Sequence, residues 1–370
     1  MIKRMIIVQH KFGLSTPKTQ RVLAAARTYY NQGIEVVFVI SQKQDEKIRT
    51  NYPDFKFIIL KEANSIKCYQ SFYKEIKKQY NHNTLILFYS VPVYSFLFRK
   101  NKYNVFSEIT EIPFYGKKAS FIAGLKEKLR LYALRNFDGL LVISNALKEY
   151  YERKKINNLM VYNMFVDSSR FEGLKKTNNG KYIGYCGTLS LYKDGVDVLI
   201  KSFSIFEKRH PNYQLYLLGP FESKAVESEL KNMAAHLGLS KKVIFTGPVN
   251  PSEMPQWLYD ADILALSRPD NIQAKYGFPT KLGEYLATGN PVVVTSVGEI
   301  PLFLKDGENA FVVASGDADS FADKLSWVAD NYEQANAIGV QGRSLVENEF
   351  SSEIQSLNAL KFMISTIEQK

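Results

Sequence analysis

Short runs of β-branched and aromatic residues, each followed by a helical segment, recur along the chain and constrain its fold more than any other feature. Uninterrupted apolar runs such as 34–41 are typical of strands that are buried on both faces, as in parallel sheets covered by helices. We therefore predict an α/β protein. The expected strands are 5–9, 34–41, 55–60, 84–89, 104–107 and 139–144, then 182–186, 213–218, 243–246, 263–267, 291–295 and 310–313.

The pattern restarts after a polar stretch flanked by glycines, which we interpret as a domain linker. The predicted boundaries are a first domain at 1–172, a linker at 173–180, a second domain at 181–349 and a final helix at 350–370. Two βα arrays of similar size predict two Rossmann-like domains facing a cleft. Ligands of such sheets bind beyond the carboxyl ends of the strands, so we expect the chemistry in the loops after the strands.

Composition excludes several classes of protein. With 45% hydrophobic residues in 370, the chain has enough apolar material for a real core and is not a disordered one. Two distant cysteines, Cys68 and Cys186, and four histidines without metal spacing favour neither a zinc site nor a disulfide framework. The longest apolar run, 85–98, is interrupted by Pro92 and is shorter than the roughly 20 residues of a membrane span. We expect a cytoplasmic protein.

Charge is distributed unevenly. Residues 1–180 contain 31 Lys and Arg against 14 Asp and Glu, whereas residues 181–370 contain 17 against 23. A basic first half suggests contact with a polyanion or with the anionic inner face of a membrane. No nucleic-acid-binding motif is present, so we do not expect a nucleic acid partner.

One segment of the basic half, 117–135, has the pattern of a membrane-docking helix. Ile122, Leu125, Leu129 and Tyr132 fall on one helical stripe. The basic residues around that stripe are Lys117, Lys118, Lys126, Lys128, Arg130 and Arg135. The alternative is a helix packed into the core with solvated lysines.

The phosphate-binding motifs G-x-G-x-x-G and G-x-x-x-x-G-K-[ST] are both absent, which disfavours a nicotinamide dehydrogenase and a P-loop NTPase. Another kind of phosphate site is indicated after strand 182–186. There Gly187 lets backbone approach an anion, and Lys193 precedes a helix N-terminus, which favours negative charge. An ordinary turn with a solvated lysine is the alternative.

The most informative segment follows strand 263–267. A long polar loop leads through Gly277-Phe278-Pro279 into a short helix, on which Lys281 and Glu284 share one face. A lysine at a helix N-terminus can hold a diphosphate. A glutamate one turn later can accept two hydrogen bonds from the vicinal hydroxyls of a ribose.

Taken in order, these motifs resemble the donor-binding domain of GT-B glycosyltransferases of family 4. The matching segments are Gly187…Lys193, Leu218-Gly219, Val243–Gly247, Ala261-Asp262-Ile263, Gly277-Phe278-Pro279…Glu284 and 289–293, with looser agreement at 10–21, 161–171 and 350–368. The resemblance implies an α/β GT-B fold whose C-terminal helix crosses back to the first domain. It also implies retaining sugar transfer from a nucleoside-diphosphate sugar of the UDP or GDP type, without a metal or another cofactor.

The resemblance also assigns site residues. The expected nucleotide-binding residues are Gly187, Thr188, Lys193, Gly219, Phe245, Gly277, Phe278, Lys281 and Glu284, with Glu284 on the ribose and Lys193 on the diphosphate. The expected catalytic residues are Glu111, Lys193, Arg268 and Tyr276. Glu111 follows strand 104–107 and would contact the acceptor or the sugar. His10 ends the first strand and would line the cleft or be structural.

Two positions depart from the family pattern. Tyr276 stands where the first glutamate of E-x7-E would fall, and Thr188 replaces a usual arginine. The missing charge would come from Arg268, Lys275 or Lys281, and Gln273 would bond the sugar.

The pattern Asp-x-Asp occurs at 260–262 and 317–319, but both copies suit structural positions, so we expect no metal site.

The basic first half suggests a lipid-linked glycan acceptor at the inner membrane face, as in the assembly of surface polysaccharide. Two alternatives stay open. One is a GT-B sugar-nucleotide epimerase, which needs no acceptor. The other is a non-catalytic partner that binds nucleotide sugars, which the replacement at Tyr276 suggests.

Overall fold

The computed structural model describes residues 2–10, 12–13, 17–41, 46–60, 66–89, 95, 97–100, 102–112, 121–178 and 180–370. The chain forms two compact units: residues 1–163 with 352–370, and residues 164–351. Each unit is a parallel sheet with helices, which confirms the predicted α/β class.

The sheet of the first unit has seven strands, and every neighbouring pair in it is parallel. The strands are β1 (Arg4–Gln9), β2 (Glu35–Ser41), β3 (Lys56–Leu60), β4 (Thr84–Phe88), β5 (Asn104–Ile109), β6 (Gly139–Val142) and β7 (Leu159–Val161). Their spatial order is β3-β2-β1-β4-β5-β6-β7. Strands β4, β5 and β6 are buried along their whole length, as the continuous apolar sequences of β4 and β6 predict.

Among its described residues, this unit has the helices α1 (Pro17–Asn31), α2 (Glu46–Asn51), α3 (Ile66–Gln79), α4 (Phe121–Arg135), α5 (Asn145–Arg153) and α15 (Ser352–Glu368). Ser144 caps α5 by accepting a hydrogen bond from the amide of Leu147.

The chain returns to the first unit through α15. This helix packs on α1 and buries Ala359, Leu360 and Met363. Its Ser356 hydroxyl lies 3.2 Å from the hydroxyl of Tyr162. The predicted C-terminal helix that joins the first domain is therefore confirmed.

The second unit repeats the architecture with six strands: β8 (Lys181–Cys186), β9 (Tyr213–Leu218), β10 (Val243–Gly247), β11 (Ile263–Leu266), β12 (Val292–Thr295) and β13 (Phe311–Val313). The spatial order is β10-β9-β8-β11-β12-β13, again with parallel neighbours. Both orders reverse direction beside the first strand of the unit, which is the doubly wound arrangement. In the second unit this switch point lies between β8 and β11.

The helices of the second unit are α6 (Leu191–Asp194), α7 (Val196–Arg209), α8 (Lys224–His236), α9 (Met254–Asp260), α10 (Ile272–Tyr276), α11 (Thr280–Ala287), α12 (Ile300–Phe303), α13 (Ala318–Asp330) and α14 (Tyr332–Glu349), with a 3-10 turn at Ser168–Phe171. In the described part of the chain, no helix is both long and apolar enough to cross a membrane.

The units divide at Asn163 and Met164, about ten residues before the linker that we predicted at 173–180. The intervening segment is held by the second unit, because the amide of Val166 donates to the carbonyl of Phe350 at 3.0 Å. The predicted linker itself makes contacts: both the amide and the hydroxyl of Thr177 donate to the Asp260 carboxylate. The polar stretch at 173–180 is therefore hydrogen-bonded to the second unit through Thr177.

Candidate functional site

The loops after β8 and β11 meet at the switch point of the second sheet, where doubly wound folds bind ligands. The hydroxyl of Ser267 donates to the carbonyl of Gly195 at 2.8 Å. Gly195 has a φ of 62°, and a Cβ on it would overlap the Ser267 carbonyl oxygen. Only glycine therefore allows this approach of the two loops.

Two further glycines form the floor of the same region. Gly187 and Gly219 have φ values of 134° and 142°, and a Cβ on Gly219 would overlap the Gly187 carbonyl. The amide of Gly187 donates to the carbonyl of Leu218 at 2.9 Å. The backbones that follow β8 and β9 are thus in direct contact.

A lysine from α11 covers Gly187. The Lys281 ammonium lies so close that a Cβ on Gly187 would collide with it. The same ammonium pairs with the Asp194 carboxylate at 2.6 Å and donates to the Tyr185 hydroxyl at 2.8 Å. The Asp194 side chain is 2% exposed and that of Lys281 13%. Asp194 therefore fixes a cation directly beside the glycine loop.

The ionisation of Asp194 follows from its neighbours. Burial alone would raise the pKa of this carboxyl, but the ammonium of Lys281 and the guanidinium of Arg268 outweigh burial and hold the pKa below its usual value. Arg268 is itself 3% exposed. Two cations therefore act on one carboxylate beside the loop.

The remaining residues of the glycine loop are more accessible. Thr188 is exposed and Lys193 partly exposed, while Ser190 caps α6 by accepting from the Lys193 amide at 3.1 Å. The Lys193 side chain is therefore reachable from solvent beside the loop, as a phosphate-binding residue must be.

Glu284 on α11 lies beside a second basic residue. The Arg170 guanidinium contacts the Glu284 carboxylate at 2.5 Å, and the two side chains are 21% and 18% exposed. The next residue on the helix, Tyr285, accepts a hydrogen bond from the Cys186 amide at 2.7 Å, which fixes α11 against the end of β8. Burial raises the pKa of the Cys186 thiol to about 12, so Cys186 is not a nucleophile.

A five-residue helix, α10, occupies part of what we expected to be a loop. Asn271 caps it and also donates to the Tyr192 carbonyl at 2.6 Å, which ties α10 to the loop after β8. Gln273 is 3% exposed, and neither atom of its amide bonds to another described residue. Lys275 is exposed and Tyr276 partly exposed.

The aromatic candidates lie in different environments. The Phe278 ring is buried against Phe303 and Phe350, with centroids 5.6 and 5.9 Å away. Its side chain belongs to the core, and only its backbone and that of Gly277 could face a ligand. Phe245 is partly exposed beside Phe221, with ring centroids 5.4 Å apart.

The first unit contains a polar cluster at the ends of β4 and β5. Glu108 and Arg21 form a buried ion pair at 2.7 Å, with side chains 2% and 4% exposed. Arg21 also donates to the carbonyls of Tyr162 and Asn163. Glu111, the residue that we predicted to be catalytic, is exposed after β5, whereas Glu108, inside that strand, is buried.

Lys18 points toward the same cluster. Its ammonium donates to the Tyr89 carbonyl, although the residue as a whole is exposed. Loss of hydration around the ammonium lowers the pKa of Lys18, and the carboxylates of Glu108 and Glu111 oppose that shift. The cluster thus presents both signs of charge at the switch point of the first sheet.

His10 lies at the end of β1. Its ring stacks on Phe72 with centroids 4.0 Å apart, and Tyr69 meets its edge at 6.0 Å. Burial lowers the pKa of His10 to about 4, so the imidazole is neutral at physiological pH.

The Asp-x-Asp sequences have structural partners. Asp260 accepts from Thr177, Asp262 accepts from the Tyr182 amide at 2.9 Å, and Asp317 caps α13. Within the described ranges, no cluster of three or more His, Cys, Asp or Glu is arranged to hold a metal ion.

Two doubly wound parallel sheets in one chain, with a last helix that returns to the first, define the GT-B fold. A solved glycosyltransferase from Rickettsia africae superimposes with a TM-score of 0.78 over 100% of both chains, at 16% identity. HepE of Anabaena in complex with UDP-glucose gives 0.75 over 98% of this chain and 99% of that one, at 15% identity. These likenesses confirm the fold.

Residues 180–331 match the family model of the glycosyl transferases group 1. Over 164 residues the chain is 30% identical to the D-inositol 3-phosphate glycosyltransferase of Corynebacterium efficiens. The aligned region covers 44% of this chain and 37% of that protein. The match thus spans little more than a third of the length of this curated relative. The resemblance that the sequence motifs suggested is confirmed for the second unit.

Several polar residues of these clusters were not singled out from the sequence, among them Asp194, Arg170 and Glu108. Asp194 lies between Lys193 and Gly195 in the pattern Gly-x5-Lys-Asp-Gly, and Arg170 precedes the phenylalanine of a segment that we had matched to the family. The only local signal for Asp194 was its position next to Gly195, and the only one for Arg170 was its position next to Phe171.

Proposed function

We propose that this chain transfers a hexosyl group from a nucleoside-diphosphate sugar to an acceptor hydroxyl. The observation that carries the proposal is the cation of Lys281, fixed by Asp194 over the Gly187 backbone, in a region that matches the family model of the group 1 glycosyl transferases. HepE, which shares the fold, was solved with UDP-glucose, and this supports a UDP sugar as donor; a GDP sugar is the alternative.

The diphosphate would lie on the glycine loop. Gly187 allows close approach of backbone, Lys281 lies directly over it, and Lys193 is partly exposed in the short helix that follows the same loop. Fixed cations stabilise the negative charge that develops on the leaving diphosphate. Lys281 would thus supply the positive charge that the family usually obtains from an arginine at the position of Thr188. We propose that these side chains act without a metal, so EDTA should leave transfer unchanged.

The nucleoside would lie between α11 and the end of β10. Glu284 would accept hydrogen bonds from the ribose hydroxyls, because it keeps one carboxylate oxygen clear of protein donors among the described residues. Phe245, partly exposed at the end of β10, would lie near the base.

In the reaction, the bond between the anomeric carbon and the diphosphate oxygen breaks while the acceptor oxygen bonds to that carbon. The acceptor proton passes to the departing diphosphate, and the anomeric configuration is retained. Tyr276 and Gln273 would face the sugar from α10. Arg268 would act through Asp194, because its positive charge keeps that carboxyl ionised. Glu111 would contact the acceptor.

Thermal unfolding with a panel of UDP, GDP, ADP, CMP and dTDP and their sugars tests the donor site. A ligand that binds the folded state at 100 times its dissociation constant adds about 2.7 kcal/mol of stability. We expect UDP or GDP to raise the melting temperature of the wild type and to lose that effect in Glu284→Ala. Glu308→Ala, a change at an exposed pair with Lys305, is the matched control and should respond like the wild type.

The outcomes separate the alternatives. Stabilisation of the Glu284→Ala variant equal to that of the wild type would refute the ribose assignment. Consumption of the donor without acceptor, with release of an epimeric sugar, would indicate an epimerase. Binding without turnover over a broad acceptor panel would indicate a non-catalytic partner.

We further propose that the acceptor is a lipid-linked glycan and that α4 holds the protein on an anionic membrane. Leu125, Leu129 and Tyr132 are 51%, 60% and 50% exposed on one stripe of α4, while Leu131 and Leu134 face the core. Lys126 and Lys128 are exposed beside the stripe. Apolar residues flanked by exposed lysines suit the interface of an anionic leaflet. Lys117, Lys118 and the side chain of Ile122 lie outside the described residues.

Flotation with vesicles tests this contact. The wild type should float with phosphatidylglycerol-containing vesicles, less so with pure phosphatidylcholine, and less at high salt. The double variant Leu125→Glu, Leu129→Glu should stay unbound. Leu302→Glu, at a leucine that is 64% exposed in the second unit, is the control and should float like the wild type. Equal flotation of both variants would contradict the proposal.

A further inference from the structure

Arg170 makes two contacts that join separate parts of the second unit. One terminal nitrogen of its guanidinium donates to Glu284 Oε1 at 2.5 Å, and the other donates to the Pro251 carbonyl at 3.2 Å. Pro251 lies in the loop that follows β10. A single side chain therefore connects the carboxylate on α11 with the loop after the strand that we place near the nucleoside.

The segment that carries Arg170 is itself fixed. It begins against α11, because a Cβ on Gly283 would lie 2.7 Å from the sulfur of Met164. It ends in the 3-10 turn, where Asp167 accepts from the Ser169 amide and the Phe171 ring is buried. The guanidinium thus starts from an anchored backbone, so holding Glu284 requires no further ordering of the segment that carries Arg170.

The ion pair between Arg170 and Glu284 orients the carboxylate more than it stabilises the fold. Both side chains are about one-fifth exposed, and ion pairs in contact with solvent add little to the free energy of unfolding. Arg170 occupies Oε1 of Glu284, and Oε2 has no hydrogen bond to the described protein atoms. An arginine bond to one oxygen restricts the rotation of the carboxylate and leaves the second oxygen in a defined direction.

We propose that Arg170 is a positioning residue of the ribose site, which holds the Glu284 carboxylate so that its second oxygen accepts from the ribose hydroxyls. This inference rests on the proposed function, since it requires a nucleotide whose ribose meets Glu284. Arg170 lies in the 3-10 turn at Ser168–Phe171, outside α11 and the glycine loops that would contact the nucleotide.

The test compares the dissociation constants of UDP and GDP with those of their 2′,3′-dideoxy analogues, which lack the hydroxyls that Glu284 would bind. The wild type should prefer the ribonucleotide. In Arg170→Gln, affinity for the ribonucleotide should fall about tenfold, the size of one charge-assisted hydrogen bond, while affinity for the analogue stays the same. Arg170→Lys, which can reach one acceptor but not both, should recover part of the loss.

Two further variants complete the design. Adding Arg170→Gln to Glu284→Gln should weaken binding no further, because the arginine acts through the glutamate. Arg209→Gln removes an exposed arginine paired with Asp323 in the same unit and should change neither affinity.

Three outcomes would overturn the inference. If Arg170→Gln weakens both nucleotides equally, Arg170 only supports the fold of the site. If it strengthens ribonucleotide binding, Arg170 competes with the ribose. If Arg170→Gln keeps the full ribose preference, the inference fails while the proposed function stands. A wild type that binds neither nucleotide would remove the proposed function, and the inference with it.

Discussion

At Gly219 the backbone of the site leaves no room for a side chain. We predict that Gly219→Ala destabilises the second unit by about 2–4 kcal/mol, because left-handed backbone costs roughly 1–2 kcal/mol and overpacking adds roughly 1–3 kcal/mol. The new Cβ would overlap the Gly187 carbonyl. Urea unfolding followed by tryptophan emission measures this, since Trp257 and Trp327 both belong to the second unit.

Gly238→Ala is the control for backbone strain alone. Gly238 has a φ of 73°, and a Cβ added to it would meet no neighbouring atom within 4 Å, so its substitution should cost only the backbone term of about 1–2 kcal/mol. Equal losses in the two variants would mean that the contact between the glycine loops does not constrain the site.

His10 gives the first unit a pH dependence. The folded pKa is about 4, below the unfolded value of roughly 6.5, so between these limits the unfolded chain binds a proton that the folded chain rejects. Stability should therefore fall as pH drops from 6.5 toward 4. Urea unfolding at pH 7 and pH 5 should show a smaller difference in His10→Phe, which keeps a ring on Phe72 without a titrating group. An unchanged difference would contradict this assignment.

At the residue scale, the sequence predicts those site residues that lie in a recognisable short motif. Gly187, Lys281 and Glu284 stood out because each lies in a short motif beside a predicted strand or helix end. Asp194 and Arg170 did not, because their partners lie 87 and 114 residues away along the chain. An ion pair between such distant positions depends on how the elements pack.

At the scale of elements, α15 completes the first unit. Met363 is fully buried where this helix packs on α1, so Met363→Ala should cost about 2–5 kcal/mol through the lost contacts and the cavity. Hydrogen exchange should rise in α1 and stay unchanged in β8 and β9. Ile354→Ala, at a residue 36% exposed on the same helix, is the control. Faster exchange in β8 rather than α1 would contradict this packing.

Most strands and the long amphipathic helices could be predicted, because an apolar face leaves a regular period. Helix α14 could not. The residues that it buries include Ala335, Gly339 and Gly342, and a Cβ on Gly339 would overlap the Gly289 carbonyl. This helix packs by close approach of backbone, so its hidden face carries little hydrophobic signal.

At the scale of the whole molecule, the second unit is continuous in sequence and the first is not. We predict that residues 164–351 expressed alone fold and bind the same nucleotide as the full chain, since the sheet, the glycine loops, Arg170 and Glu284 all lie within that range. Far-UV circular dichroism and the nucleotide-dependent melting shift measure this. Residues 1–163 alone should not fold stably, and should regain structure when 352–370 is supplied as a peptide. A stable 1–163 fragment would contradict the prediction.

The return of α15 to the first unit also bears on the order of events on the ribosome. Domains usually fold in the order in which they are synthesised. Here the helix that covers α1 is translated after all of residues 164–351, so the second unit can finish folding while the first still waits for its last piece. During that interval the apolar surface that will receive Met363 is open to solvent, and this is the stage at which a chaperone would be most useful to the nascent chain.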